Sequence, residues 1–445
     1  MRDLVIEGGT VITADENRSM FDPGYVVVQE GLITEVGEGR AAPDTGGRRI
    51  DARDTLVIPG FVNAHTHLCM TLGRSLGSDS SLLQWLTQAQ LPLMGQMTPE
   101  DYALAVRLGA VENLKSGNTT ICEVFFSNRY EDGADAMSIK ALVEIGIRAV
   151  FFRCSNDIDF VPGFLESTED IARRSRALID EFGGDPQLTV GIGPLVPWVA
   201  SDEYWADTVG MVRDLDTDVH LHTAETPEYN DLVEARTGMR NVEYLAAVGA
   251  LGKRVMLNHC IHLNDAEIEL IAAQGSPVIH DPTSNMILAS GTAPVLKMRK
   301  AGIRVGLACD GPACNNTQDM FEVMKDASLL HKVSSGDAEA LTAEDVFLMA
   351  TREGAHACGL GEKVGSLEIG KAADIVLVDT MASHLRPIHD PLATLVYSAR
   401  AADVGTVIVD GEVVVEEGKV LTTDERTLIR QAQIRATELR RAAGL

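Results

Sequence analysis

The chain has 445 residues, of which 45% are hydrophobic and 23% charged, and its 65 acidic against 38 basic side chains give a formal charge of −27. That apolar content supports a sizeable core and excludes wholesale disorder. The acidic excess repels a nucleic-acid backbone or an anionic membrane surface and leaves a small neutral or cationic ligand as the easier partner. Charge at positions 2, 3 and 7 interrupts the N-terminus, and no stretch reaches about eighteen uninterrupted apolar residues, so neither a leader nor a membrane span is expected. Seven cysteines without C-x-x-C spacing point to reduced, mostly buried thiols in a cytosolic protein.

Near the N-terminus, where residues 1–56 are expected to give the first part of a β-domain, short β-branched runs, "DLVIEGGTVITAD", "GYVVVQEGLITEVGEG" and "RRIDARDTLVIPG", are separated by Gly and Asp turn signals, as in an antiparallel meander. Over residues 57–368 the rhythm changes to strand then helix, with eight apolar strand candidates: "TLVIPGFVNAH", "GNTTICEVF", "GIRAVFFRC", "LTVGIGPLV", "DTDVHLHTAE", "KRVMLNHCI", "GSPVIHDP" and "GIRVGLACD". Helical stretches such as "TPEDYALAVRLGAVENLKSG" and "DAEIELIAAQG" lie between them, opening on capping residues and closing on Gly. The β texture returns over 369–420, where "DG" at 410 and 411 marks a tight hairpin turn. Residues 421–445 read as a surface helix. The expected fold class is α/β, a (β/α)₈ TIM-like barrel with a small β-sandwich domain formed by both chain ends.

Strand ends are where a barrel presents chemistry. His65 and His67 close the first strand candidate, and two-residue spacing puts both side chains on one face. Alone, such a pair is equally well structural. His222, His259 and Asp310 occupy the matching ends of three other strand candidates, however, and three imidazoles with a carboxylate suit a divalent transition metal, Zn²⁺ or Fe²⁺. The fourth strand candidate offers no Lys to bridge a second ion, which favours one metal over two. Glu225, three residues beyond His222, is a surface or capping Glu in isolation and a general acid and base beside an activated water.

Together "PGFVNAHTHLCMTLGR", "LHTAET", "NHCIHL", "DPTSNMILASGTAPV", "GLACDGPACNNTQDMFEVMKDASLLHK" and "GSLEIGKAADIVLVD" resemble the amidohydrolase superfamily, nearest its single-metal aminohydrolase and chlorohydrolase branch. The resemblance implies that His65, His67, His222 and Asp310 bind the metal, that Glu225 moves protons, and that His259 orients water or polarises the substrate. It also implies a split β-domain. One segment departs from the pattern: "GIGPLVPWV" places Leu195 and Val196 where adenosyl-substrate deaminases of the branch carry a His in a "PHAP"-like motif.

The expected activity is hydrolytic deamination of an amino-substituted nitrogen heterocycle of purine, pterin, pyrimidine or triazine type. Displacement of chloride or alkylamine from triazine-like rings is the alternative, and a non-catalytic binding protein on the same barrel is the reading from another class. Trp85 and Trp198 are candidate aromatic walls for a flat ring, and His280, Ser284 and Asn285 candidate substrate contacts. His220 is expected to turn away from the mouth towards the helices, and His262, His331, His356, His384 and His389 to be structural or exposed. Cys309 and Cys314 are expected to be packing residues. "GSLEIGKA" lacks the hydroxyl residue of a phosphate-binding loop and reads as a turn. A small heterocycle is the expected partner, with neither nucleic acid nor membrane, and a homo-oligomer is left open.

Overall fold

A computed structural model describes residues 3–43, 45–160 and 163–445. Eight parallel strands, Phe61–Thr66, Asn118–Phe125, Arg148–Ser155, Leu188–Pro194, Val219–Thr223, Val255–His259, Val278–His280 and Val305–Leu307, pair in sequence order around a barrel. The first and last lie side by side, and the seam is closed by polar groups: Asp310 N donates to His65 O (3.0 Å) and Cys309 N to Asn63 Oδ1 (2.8 Å). Helices follow the strands, and their ends obey capping chemistry. Thr98 and Asp101 form a reciprocal cap on Pro99–Lys115, while Asp265–Gln274 runs from the Asn264 cap to a left-handed Gly275.

The chain ends meet in a second, nine-stranded sheet, mainly antiparallel. Its two halves join where Thr55–Pro59 lies antiparallel to Ile375–Asp379, with Val57 opposite Leu377. The sheet curls over an apolar core of its own that includes Leu4, Val26, Val57 and Ile375. A bridge from Leu32 to Ala372 stitches it further and places "GSLEIGKA" as a turn. Asp410 and Gly411, both at positive φ (51° and 78°), turn the hairpin between Val404–Val409 and Glu412–Glu416, as the "DG" pair predicts.

The run "TLVIPGFVNAH", expected as one barrel strand, is two strands in two sheets: Thr55–Pro59 belongs to the chain-end sheet and Phe61–Thr66 to the barrel. The C-terminal helix Glu425–Ala442 packs on Pro99–Lys115, where Arg435 clamps the Asp101 carboxylate through two bonds of 2.6 and 2.9 Å. Among the described residues no helix is long and apolar enough to cross a membrane, and all seven cysteines are free and buried.

Candidate metal centre and cavity

His65, His67, His222, His259 and Asp310 come together at the C-terminal ends of their strands. Two overlapping groups, His65 with His67 and His222, and His65 with His259 and Asp310, each bring their ligand atoms within 4.8 Å of one another. Main-chain strain accompanies the cluster: Ala224, His259 and Asp310 are non-glycine residues at positive φ (48°, 67° and 61°), at a cost of about 1–3 kcal/mol each. Gly311 sits in close approach to the cluster, since a Cβ there would lie 3.0 Å from His67 Cβ, tighter than ordinary van der Waals contact.

Hydrogen bonding shows what these rings are prepared for. His67 Nδ1 donates to Val124 O (2.7 Å) and His222 Nδ1 to Leu195 O (2.8 Å). A carbonyl only accepts, so each neutral ring carries its proton on Nδ1 and leaves Nε2 bare. Burial lowers the pKa of both rings, which favours that neutral form. Nevertheless the two Nε2 atoms face each other at 3.0 Å, and two lone pairs at that separation repel unless a cation lies between them. His65 Nε2 is buried without a hydrogen-bonding partner, 3.4 Å from Asp310 Oδ1. Burial raises the Asp310 carboxyl, but His65, His67 and His259 together outweigh it and hold the group well below its ordinary range. Neutral imidazoles around an ionised carboxylate are the donor set of a divalent metal site.

Around these groups lies a supporting layer of the kind that orients metal ligands. Ser284 Oγ donates to Asp310 Oδ2 (2.6 Å), Gly311 N to Asp310 Oδ1 (2.6 Å) and Gln318 Nε2 to Asp310 O (2.7 Å). His259 Nδ1 donates to Asn285 Oδ1 (3.0 Å) and lies 3.4 Å from Asp281 Oδ2. On the second barrel strand, Glu123 accepts from Leu68 N (2.7 Å) and Cys69 N (3.1 Å), fixing the turn that follows His67. Ser284→Ala is expected to lower metal affinity or turnover by about 10- to 100-fold. Metal titration and steady-state kinetics on the same preparation check it, and an unchanged variant removes Ser284 from this role.

Glu225 is buried beside the cluster, with Oε2 3.5 Å from His259 Nε2 and Oε1 accepting from Ser290 Oγ (3.3 Å). Burial, reinforced by the Asp310 charge, pushes its pKa up to about 8. Burial likewise lowers His259 to about 4, so its imidazole is neutral near pH 7. A carboxyl group raised towards neutrality next to a neutral imidazole suits proton exchange with a reacting molecule.

Both groups open into a cavity whose walls include Trp85, Phe126, Leu195, Val196, Trp198 and Leu288. Trp85 and Trp198 therefore stand where an aromatic wall is expected. Ser284 and Asn285, expected as substrate contacts, are buried behind the lining, on Asp310 and His259. His280 lies deeper, its Nε2 3.2 Å from His331 Nε2. Cys309 is packed, whereas Cys314 also reaches the cavity wall.

His220 contradicts its expected orientation. Two residues from His222, it shares the same strand face, and its Nε2 lies 3.2 Å from His65 Nδ1 beneath the cluster. Asp281, Tyr229 and Gln318 are residues the sequence did not single out. Asp281 adjoins the noted His280, but nothing local distinguishes a buried carboxylate there from a cap.

The profile of the Amidohydrolase family matches residues 56–414. The chain belongs to this family. Among amidohydrolases it is 37% identical over 444 residues to a 5-methylthioadenosine/S-adenosylhomocysteine deaminase of Pelotomaculum thermopropionicum, covering 99% of each chain. It is 36% identical over 443 residues to a 5'-deoxyadenosine deaminase of Methanosarcina mazei, again covering 99% of each. The crystal structure of an adenosine deaminase from Xanthomonas campestris with bound zinc superposes with a TM-score of 0.92 at 31% identity, covering 99% of both chains. The barrel with its chain-end sheet is thus that of an amidohydrolase, and its histidine-rich centre is one for a divalent metal.

Proposed function

We propose that this amidohydrolase is a zinc-dependent deaminase that replaces the exocyclic amine of an aminopurine, or a closely similar ring, with oxygen and releases ammonia. The observation that carries the reading is the placement of Glu225, buried at the junction between the ligand cluster and an apolar cavity. The adenine-based names of two full-length relatives agree with it. His65, His67, His222 and Asp310 would hold the zinc, which when bound supplies the Lewis acidity that makes water a nucleophile near neutral pH.

The remaining chemistry falls to side chains. Glu225, whose ionised form a cation in the cluster would favour against burial, accepts a proton from the attacking water and returns it to a ring nitrogen, converting an amidine-like carbon into a tetrahedral centre. A second proton passage through Glu225 lets the amine depart as ammonia, so water and substrate are consumed in equal amounts. His259, oriented through Nδ1 by Asn285, holds its Nε2 towards Glu225 and the reacting carbon. Trp85 and Trp198 supply apolar walls that exclude bulk water and strengthen the polar contacts within.

Ammonia release from a panel of aminopurines, aminopterins and aminopyrimidines by zinc-loaded enzyme tests the reading, with chloride release from chlorotriazines measured alongside. Ammonia from an aminopurine is the expected result. Chloride or alkylamine release with no ammonia transfers the site to the other leaving groups, and no turnover of any ring contradicts the proposal.

A further inference from the structure

The lining of the cavity restricts what the reacting ring can carry, given the deaminase reading. Away from the reacting centre the wall is aliphatic and aromatic, as at Met70, Leu82, Leu86, Phe126 and Leu288. Among the described residues lining it there is no lysine, arginine, asparagine, glutamine, serine or threonine, and its carboxylates are those of Glu225 and Asp310. Leu82 and Leu288 continue into an adjoining cleft whose charged members, the exposed Asp79 and Glu228, are both acidic. Arg236 reaches the turn that carries Trp198, but its guanidinium is engaged by Pro197 O (3.2 Å), the Tyr244 ring (4.8 Å) and Asp202 (3.7 Å).

An anionic tail entering this space would lose its hydration without gaining a cationic partner, because the donors of the lining, such as the unpartnered indole N–H of Trp198, are neutral. It would also meet the repulsion of two carboxylates and of a chain charged −27. A thioether or alkyl substituent instead gains from every apolar contact. We infer that the cavity accepts an amino-heterocycle whose substituent ends in an apolar, uncharged group, and rejects one that ends in a carboxylate or a phosphate.

The test compares kcat/KM on the zinc-loaded enzyme for 5'-methylthioadenosine, S-adenosylhomocysteine and adenosine 5'-monophosphate, which share ring and sugar and differ in the tail. The methylthioether is expected to exceed each of the others by about 10²-fold or more, the scale of discrimination available when a polar group is left unpaired. Comparable ammonia release from all three overturns the inference and leaves the deaminase reading standing. Ammonia from none of them overturns the inference together with the aminopurine reading on which it rests.

Discussion

Glu225→Gln is expected to keep its metal and to lose turnover by about 10²- to 10⁴-fold, the range for removal of a general acid-base group. The upper end is expected because one carboxyl serves both the incoming water and the leaving amine. Gln is nearly isosteric, and its amide can still accept from Ser290 Oγ, so the pocket should keep its shape. Substrate affinity should therefore change little while kcat falls. Metal content and turnover measured on one preparation separate the outcomes. A variant with full metal and normal turnover shows that Glu225 moves no proton, and one that loses the ion makes it a ligand.

His67→Ala is expected to remove metal and activity together. The ring contributes a bare Nε2 to the cluster while its Nδ1 is anchored on Val124 O, so truncation deletes a donor and leaves a buried carbonyl without its partner. Loss of Lewis acidity worth several kcal/mol corresponds to about 10³-fold in rate, at about 1.4 kcal/mol per decade. Added zinc should restore little, because the donor set is incomplete. A metal-replete His67→Ala enzyme with normal kinetics would return His67 to a structural role.

Local pattern was enough for much of this architecture. Eight apolar runs at regular spacing announced the barrel strands, and capping residues marked the helices, because burial and backbone satisfaction act on neighbours in sequence. The candidate site residues were visible for a related reason: a barrel presents strand ends, so a His or Asp at such an end is conspicuous. Contacts between distant segments were not visible in this way. Gly60 divides what looks like a single apolar run, and only the pairing of Thr55–Pro59 with residues more than 300 positions away shows which sheet each half joins.

His220 departs from its expected orientation for a simpler reason. A spacing of two keeps a side chain on the same strand face, and the rule that paired His65 with His67 pairs His220 with His222. Ser284 and Asn285 stand out in the sequence as polar residues near the mouth, but whether such a group meets substrate or steadies another side chain depends on where Asp310 and His259 lie. Gln318, which holds Asp310 from below, carries no sequence signal beyond its polarity.

The central claim is that one metal ion, held by residues from three barrel strand ends, supports deamination. The most direct measurement titrates metal-stripped protein with zinc and follows bound ions per chain and ammonia release from 5'-methylthioadenosine in the same samples. Because the two ligand groups share His65 and form a single cluster, both quantities should rise together and level off near one ion per chain. Activity that requires a second ion, or ammonia release that survives stripping, would contradict the account.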